Sequence, residues 1–140
     1  MAINEIEEFV TYRLEKTDEV YSAAQLLYNA GQWNSAVNRL YYACFYAASA
    51  LLLKRGIGAK SHNGVIAKFS EFVVRPGEMT ADEYRVYSKL LNWRTKGDYS
   101  DMFDFTQEDV ASVMEPTRAF VEKVKQLIEK GGNSEVIMKD

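Results

Sequence analysis

The run Ser35–Gly56, SAVNRLYYACFYAASALLLKRG, decides how this chain is read. Nearly every position from Leu40 to Leu53 is apolar or aromatic, and no glycine or proline interrupts it. It predicts a helix from about Trp33 to Arg55, closed by Gly56. A helix that is apolar all round belongs at the centre of a bundle. Asn38 and Arg39 stand at its head, however. Helical neighbours lie three or four positions apart, so Arg39 shares a face with Ser35, Tyr42 and Tyr46.

Helical periodicity continues on both sides of this segment. Ile6, Phe9, Val10, Leu14, Tyr21, Ala24 and Leu27 mark one face of a helix from Asn4 to Ala30, with Asn4 as N-cap, Glu7 three residues on and Gly31 as the stop. After the loop GIGAK, Ser61 caps a short helix from His62 to about Phe72. Thr80 and Glu83 form a capping box for a helix over residues 81–96, which Gly97 is expected to break. The acidic loop GDYSDMFDF follows. Thr106 and Asp109 open the last helix, whose stripe is Val110, Val113, Phe120, Val121, Val124, Leu127 and Ile128. Pro116 predicts a kink there, or a start near Glu115. No strand alternation occurs. The expected fold is all-α: an up-and-down four-helix bundle with an additional short helix. Residues 1–130 form one helical domain in this reading, and 131–140 a flexible polar tail.

Composition agrees with a water-soluble protein. The chain has 140 residues, 47% hydrophobic and 26% charged, enough for one core. The apolar run is shorter than the roughly 18 residues a spanning helix needs. The start, MAINEIEEF, is acidic and amphipathic rather than a secretory leader. Cys44 is the only cysteine, which excludes an internal disulfide. A cytoplasmic location is the expectation. The net charge of −3 is unevenly spread: residues 39–96 carry ten basic and four acidic side chains, while both flanks are acidic. That segment either neighbours the acidic helices or offers a surface to an anionic partner.

The fourth predicted helix repeats the pattern of the second. Tyr84, Tyr87, Leu91 and Arg94 share one stripe, so Arg94 also points partly inward. A buried arginine needs an acceptor. Asp98, Asp101, the tyrosine hydroxyls and the carbonyls of residues 97–105 are candidates. Two readings follow. Arg39, Arg94, Asp98 and Tyr99 form a satisfied network that pins the loop. Alternatively, Asn38, Arg39, Tyr42 and Arg94 line a cleft in which guanidinium forks take phosphate oxygens. Asp98, Asp101 and Asp104 lack the spacing of a calcium loop and a helping histidine, so no metal site is expected. There is no glycine-rich phosphate loop, and no cofactor is expected.

AVNRLYYA at 36–43, FYAASALL at 45–52, SHNGV at 61–65 and WRTKGDY at 93–99 resemble the HEPN superfamily, in its small single-domain prokaryotic branch. The resemblance covers about Leu14 to Phe120. It implies a helical bundle that forms a homodimer, often beside a minimal nucleotidyltransferase as a toxin–antitoxin pair. It also implies binding of RNA or a nucleotide, and in many members a metal-independent ribonuclease whose arginine is followed, four to six residues on, by a histidine. Here the tentative catalytic set is Arg94, Asp98 and Tyr99: Arg94 holds the arginine position, and Tyr99 stands where the histidine is expected. A phenol with an ordinary pKa near 10 is a poor general base at neutral pH. His62, the only histidine, lies in another segment, where packing or hydrogen bonding is the ordinary role. The expected function is therefore a binding module for a nucleotide or RNA phosphate, or for a partner nucleotidyltransferase. The alternatives are a ribonuclease toxin with an altered site and a purely structural interaction protein.

Overall fold

A computed structural model describes residues 3–99 and 103–139, with side chains described for 4–96 and 103–131. Helix α1 spans Ile3–Asn29, α2 Trp33–Lys54, α3 His62–Phe69, α4 Ala81–Tyr99 and α5 Gln107–Lys139. Four long helices and one short one make the expected up-and-down bundle, and the described residues contain no strand. None of their helices is long and apolar enough to cross a membrane.

The ends of these helices follow from local chemistry. Gly31 and Gly56 take positive φ values of 75° and 72°, which only glycine adopts without strain. After each, the chain donates back into the helix: Gln32 N–H to the Leu27 carbonyl and Ile57 N–H to that of Leu52, both at 2.9 Å. The Thr80 hydroxyl accepts from Glu83 N–H at 3.0 Å, and the Glu83 carboxylate accepts from Thr80 N–H at 2.8 Å. Thr106 and Asp109 repeat that reciprocal box at the head of α5. Ser61 accepts from Gly64 N–H at 2.9 Å and so starts α3.

Several boundaries differ from the sequence expectation. Helix α1 begins at Ile3, so Asn4 lies inside it rather than capping it. Helix α3 stops at Phe69 and passes into a wider π-type turn, Ser70–Val74, that puts Val73 into the core. Gly97 does not break α4, which runs on to Tyr99. An isolated glycine costs a helix only about 1 kcal/mol, which neighbouring turns offset. Helix α5 runs unbroken through Pro116. Proline removes the donor that would serve the Ser112 carbonyl, while in the same turn Thr117 donates to the Val113 carbonyl at 2.7 Å and Tyr21 to that of Met114 at 3.0 Å.

Helix α2 is the central element and packs against α1, α3, α4 and α5. Ala36, Ala43, Ala47 and Ala50 are fully buried, and small side chains let neighbouring helices approach closely. Its burial is not uniform, contrary to the all-round apolar reading. Asn38, Arg39, Tyr42, Phe45 and Tyr46 are half-buried and form an open strip along one side. Beyond α2, the core is anchored by Phe69, Tyr87 and Phe120, all fully buried. Phe120 lies 5.5 Å from each of the other two rings, centroid to centroid. Cys44 is buried, as expected.

Tyr87 carries a buried hydroxyl with no hydrogen-bond partner among the described residues. Such a group keeps its desolvation cost and gains nothing in return. Tyr87→Phe should therefore hold or raise stability, by up to about 1 kcal/mol. A thermal midpoint clearly below that of the parent chain would show that the hydroxyl is in fact satisfied.

Candidate functional site

The open strip of α2 meets the ends of two other helices. Helix α4 brings Arg94, and the first turn of α3 brings His62. Arg94 Nη2 donates to the Tyr42 hydroxyl at 3.3 Å. Its guanidinium carbon lies 5.2 Å from the Tyr41 ring centroid and 5.4 Å from that of Tyr42. The Arg39 guanidinium lies 5.0 Å from the same Tyr42 centroid. Arg39 donates through Nε at 3.0 Å and Nη2 at 2.5 Å to the Asn38 amide oxygen. Two arginines thus converge on one tyrosine, from positions 55 residues apart. Aromatic faces carry negative potential, so the Tyr42 and Tyr41 rings attract and orient these guanidiniums. The amide of Asn38 likewise orients Arg39 and leaves its charge intact.

Of the residues expected to bind a ligand, the structure therefore brings Asn38, Arg39, Tyr42 and Arg94 into one cluster. Of the tentative catalytic set, only Arg94 has a described side chain. The side chains of Asp98 and Tyr99, and Asp101 altogether, lie outside the described residues. Asp104, grouped with them on the sequence, meets Asn34 at the head of α2. The Asn34 amide donates to the Phe103 carbonyl at 3.0 Å and to Asp104 Oδ1 at 3.4 Å, and accepts from Phe105 N–H at 2.7 Å. Asn34 thus pins the chain entering α5. No group of three metal-binding side chains occurs among the described residues.

His62 is the member that sequence reasoning left outside the cluster. Its ring stacks on Phe45 at 4.4 Å with 14° between planes, and meets Tyr42 edge-on at 5.7 Å. Nδ1 lies 2.5 Å from the Tyr41 hydroxyl. Burial, and then the positive charge of Arg94, hold the His62 pKa below its ordinary value, which favours the neutral ring. Burial moves the Tyr41 phenol the other way, upwards, with Arg94 partly opposing. Only the separation from Arg94 in sequence hid His62. The signal that could have found it is Ser61, whose cap places position 62 on the first turn beside the tyrosine-rich face of α2.

Chemically, the cluster offers two planar cations, a phenol and a neutral imidazole on a half-buried aromatic floor. Groups of that kind are able to pair with an oxyanion and to stack against an aromatic ring.

Comparison with known proteins gives a consistent result. The HEPN domain model matches residues 10–127. A Thermotoga maritima protein named "UPF0332 protein" is 34% identical over 127 residues, covering 91% of this chain and 96% of its own length. A Methanocaldococcus jannaschii protein named "Putative toxin MJ0605" is 32% identical over 126 residues, covering 90% of this chain and 93% of its own. The crystal structure of TT1696 from Thermus thermophilus superposes with a TM-score of 0.70 at 18% identity, covering 84% of this chain and 96% of that one. This last likeness is one of fold.

Proposed function

Because this chain belongs to the HEPN domain family, we propose that it is a HEPN binding module that takes the phosphate of a nucleotide or of single-stranded RNA on Arg39 and Arg94. The observation that carries this reading is the convergence of both guanidiniums on the Tyr42 ring, at 5.0 and 5.4 Å, on the one strip of α2 left open. Guanidinium forks match phosphate oxygens in pairs, and the tyrosine floor holds them in place before the ligand arrives. Phe45 and Tyr46 extend the floor, which suits an aromatic base beside the phosphate. In the same reading a second copy of the chain, and a nucleotidyltransferase, are its protein partners.

The test is fluorescence anisotropy with a short labelled RNA, across a salt series and without divalent metal. Binding should weaken steeply with salt, as phosphate contacts do. It should also weaken roughly tenfold in Arg39→Ala, a half-buried residue whose loss leaves the core intact. Equal affinity of Arg39→Ala and the parent chain would overturn the reading.

A second reading, a ribonuclease toxin, draws on the name of the Methanocaldococcus relative and on His62 beside Arg94. It requires RNA cleavage in EDTA that disappears on His62→Phe. The binding reading expects no cleavage under those conditions.

A further inference from the structure

We infer that Tyr41 holds His62 as the Nε2–H tautomer, so that the cluster presents a phosphate oxygen with a third hydrogen-bond donor and not with a base. This inference rests on the phosphate reading above and names what the third group does there.

The argument begins with the proton of Tyr41. Tyr41 is fully buried, so its hydroxyl has no access to water. Among the described residues its only hydrogen-bond partner is His62 Nδ1, at 2.5 Å. A neutral imidazole has one N–H and one lone pair, and two arrangements satisfy the distance. In the first, the hydroxyl donates to the Nδ1 lone pair, and the ring proton sits on Nε2. In the second, Nδ1–H donates to the phenol oxygen, and the hydroxyl proton of Tyr41 is buried with no acceptor. The second arrangement carries the full desolvation cost of a buried donor. The first carries none, because His62 is only partly buried. Its Nε2–H then sits on a ring that is only partly buried.

The ring is also held against rotation. Phe45 stacks on it at 4.4 Å, and the Tyr41 ring lies roughly parallel at 5.7 Å. With Nδ1 directed at Tyr41, Nε2 lies at the opposite edge of the imidazole. A flip would break the hydrogen bond to Tyr41 without offering Nε2 a better one. The depressed pKa of His62 fits the same state, since a neutral ring is what Nδ1 needs in order to accept.

The functional consequence follows from which edge the ligand meets. His62 could activate a ribose hydroxyl only through a nitrogen lone pair, and its one lone pair is already used by Tyr41. What remains is an N–H, which suits an oxyanion. Arg39, Arg94 and His62 then supply three donors to one phosphate. Tyr41 is a positioning residue in this scheme; it acts only through His62.

The chain has a single histidine, so its ring nitrogens can be read without assignment. Two-bond proton–nitrogen correlation spectra of the uniformly labelled protein at pH 7.5 should show Nε2 protonated and Nδ1 not. In Tyr41→Phe the two nitrogens should move towards a mixture of tautomers. Inorganic phosphate should shift the Nε2 signals of the parent chain. Its affinity should fall roughly tenfold in His62→Phe and stay within about twofold in His62→Gln, whose amide N–H stands in for Nε2–H. A proton on Nδ1 with phosphate still bound overturns this inference and leaves the phosphate reading intact. Phosphate that fails to bind, with Nε2 protonated, overturns the phosphate reading and the donor role with it. Retention of affinity in His62→Phe also removes the donor role.

Discussion

Arg94→Ala should unfold roughly 5–10 °C below the parent chain and bind phosphate at least about tenfold more weakly. The first effect comes from what Arg94 does in the free protein. Its guanidinium lies over Tyr41 and Tyr42 and donates to the Tyr42 hydroxyl. Each cation–π contact contributes about 0.5–2 kcal/mol when partly desolvated, so about 2 kcal/mol in all is expected to be lost. The second effect comes from the lost fork. Arg94→Lys separates the two. A lysine keeps a cation over the rings and most of the stability, but it is a point charge without a planar pair of donors. Most of the affinity should therefore still be lost. Full phosphate affinity in Arg94→Lys, together with reduced stability in Arg94→Ala, would make Arg94 a structural residue only. Both variants are measured by thermal unfolding followed by circular dichroism and by titration with inorganic phosphate.

Phe120→Ala should be the most destabilising single change, by about 3–5 kcal/mol in urea or thermal unfolding. Phe120 is fully buried and touches two other fully buried rings, Phe69 from α3 and Tyr87 from α4. It is therefore the point at which α5 is tied to the short helix and to the helix bearing Arg94. Truncation removes the transfer free energy of a phenyl ring and leaves a cavity that three rigid elements cannot all close. A loss below about 1.5 kcal/mol would mean that the bundle relaxes into the gap, and that this aromatic cluster is not its anchor.

Much of this molecule was legible from residue order. The apolar density of Ser35–Gly56 put α2 at the centre of the bundle, and α2 packs against all four other helices. The capping boxes at Thr80 and Thr106 and the stop at Gly56 are local hydrogen-bond chemistry. They depend on four to six consecutive residues, which is why they could be read directly. Places where local signals misled share one cause. Asn4, Gly97 and Pro116 are all ordinary helix-boundary residues that lie inside helices here. Their penalties, from under about 1 kcal/mol for asparagine to about 3 for proline, are small beside the burial of a long amphipathic face.

The position of each arginine on its helix was likewise set by spacing. Arg39 had to share a face with Tyr42, and Arg94 had to extend the stripe of Tyr84, Tyr87 and Leu91, because a helix turns once in 3.6 residues. The sequence also determined the all-α class and the head of each predicted aromatic stripe. Spacing could not decide what those stripes meet. Arg94 reaches Tyr42 across 52 residues and His62 reaches Tyr41 across 21, and both contacts exist only because α4 and α3 pack against α2. Nor could spacing show that one side of α2 stays open, since exposure depends on which neighbours arrive. Only the tertiary structure turned a histidine outside the arginine motif into a neighbour of that arginine, because packing of whole helices, not distance along the chain, sets which side chains meet.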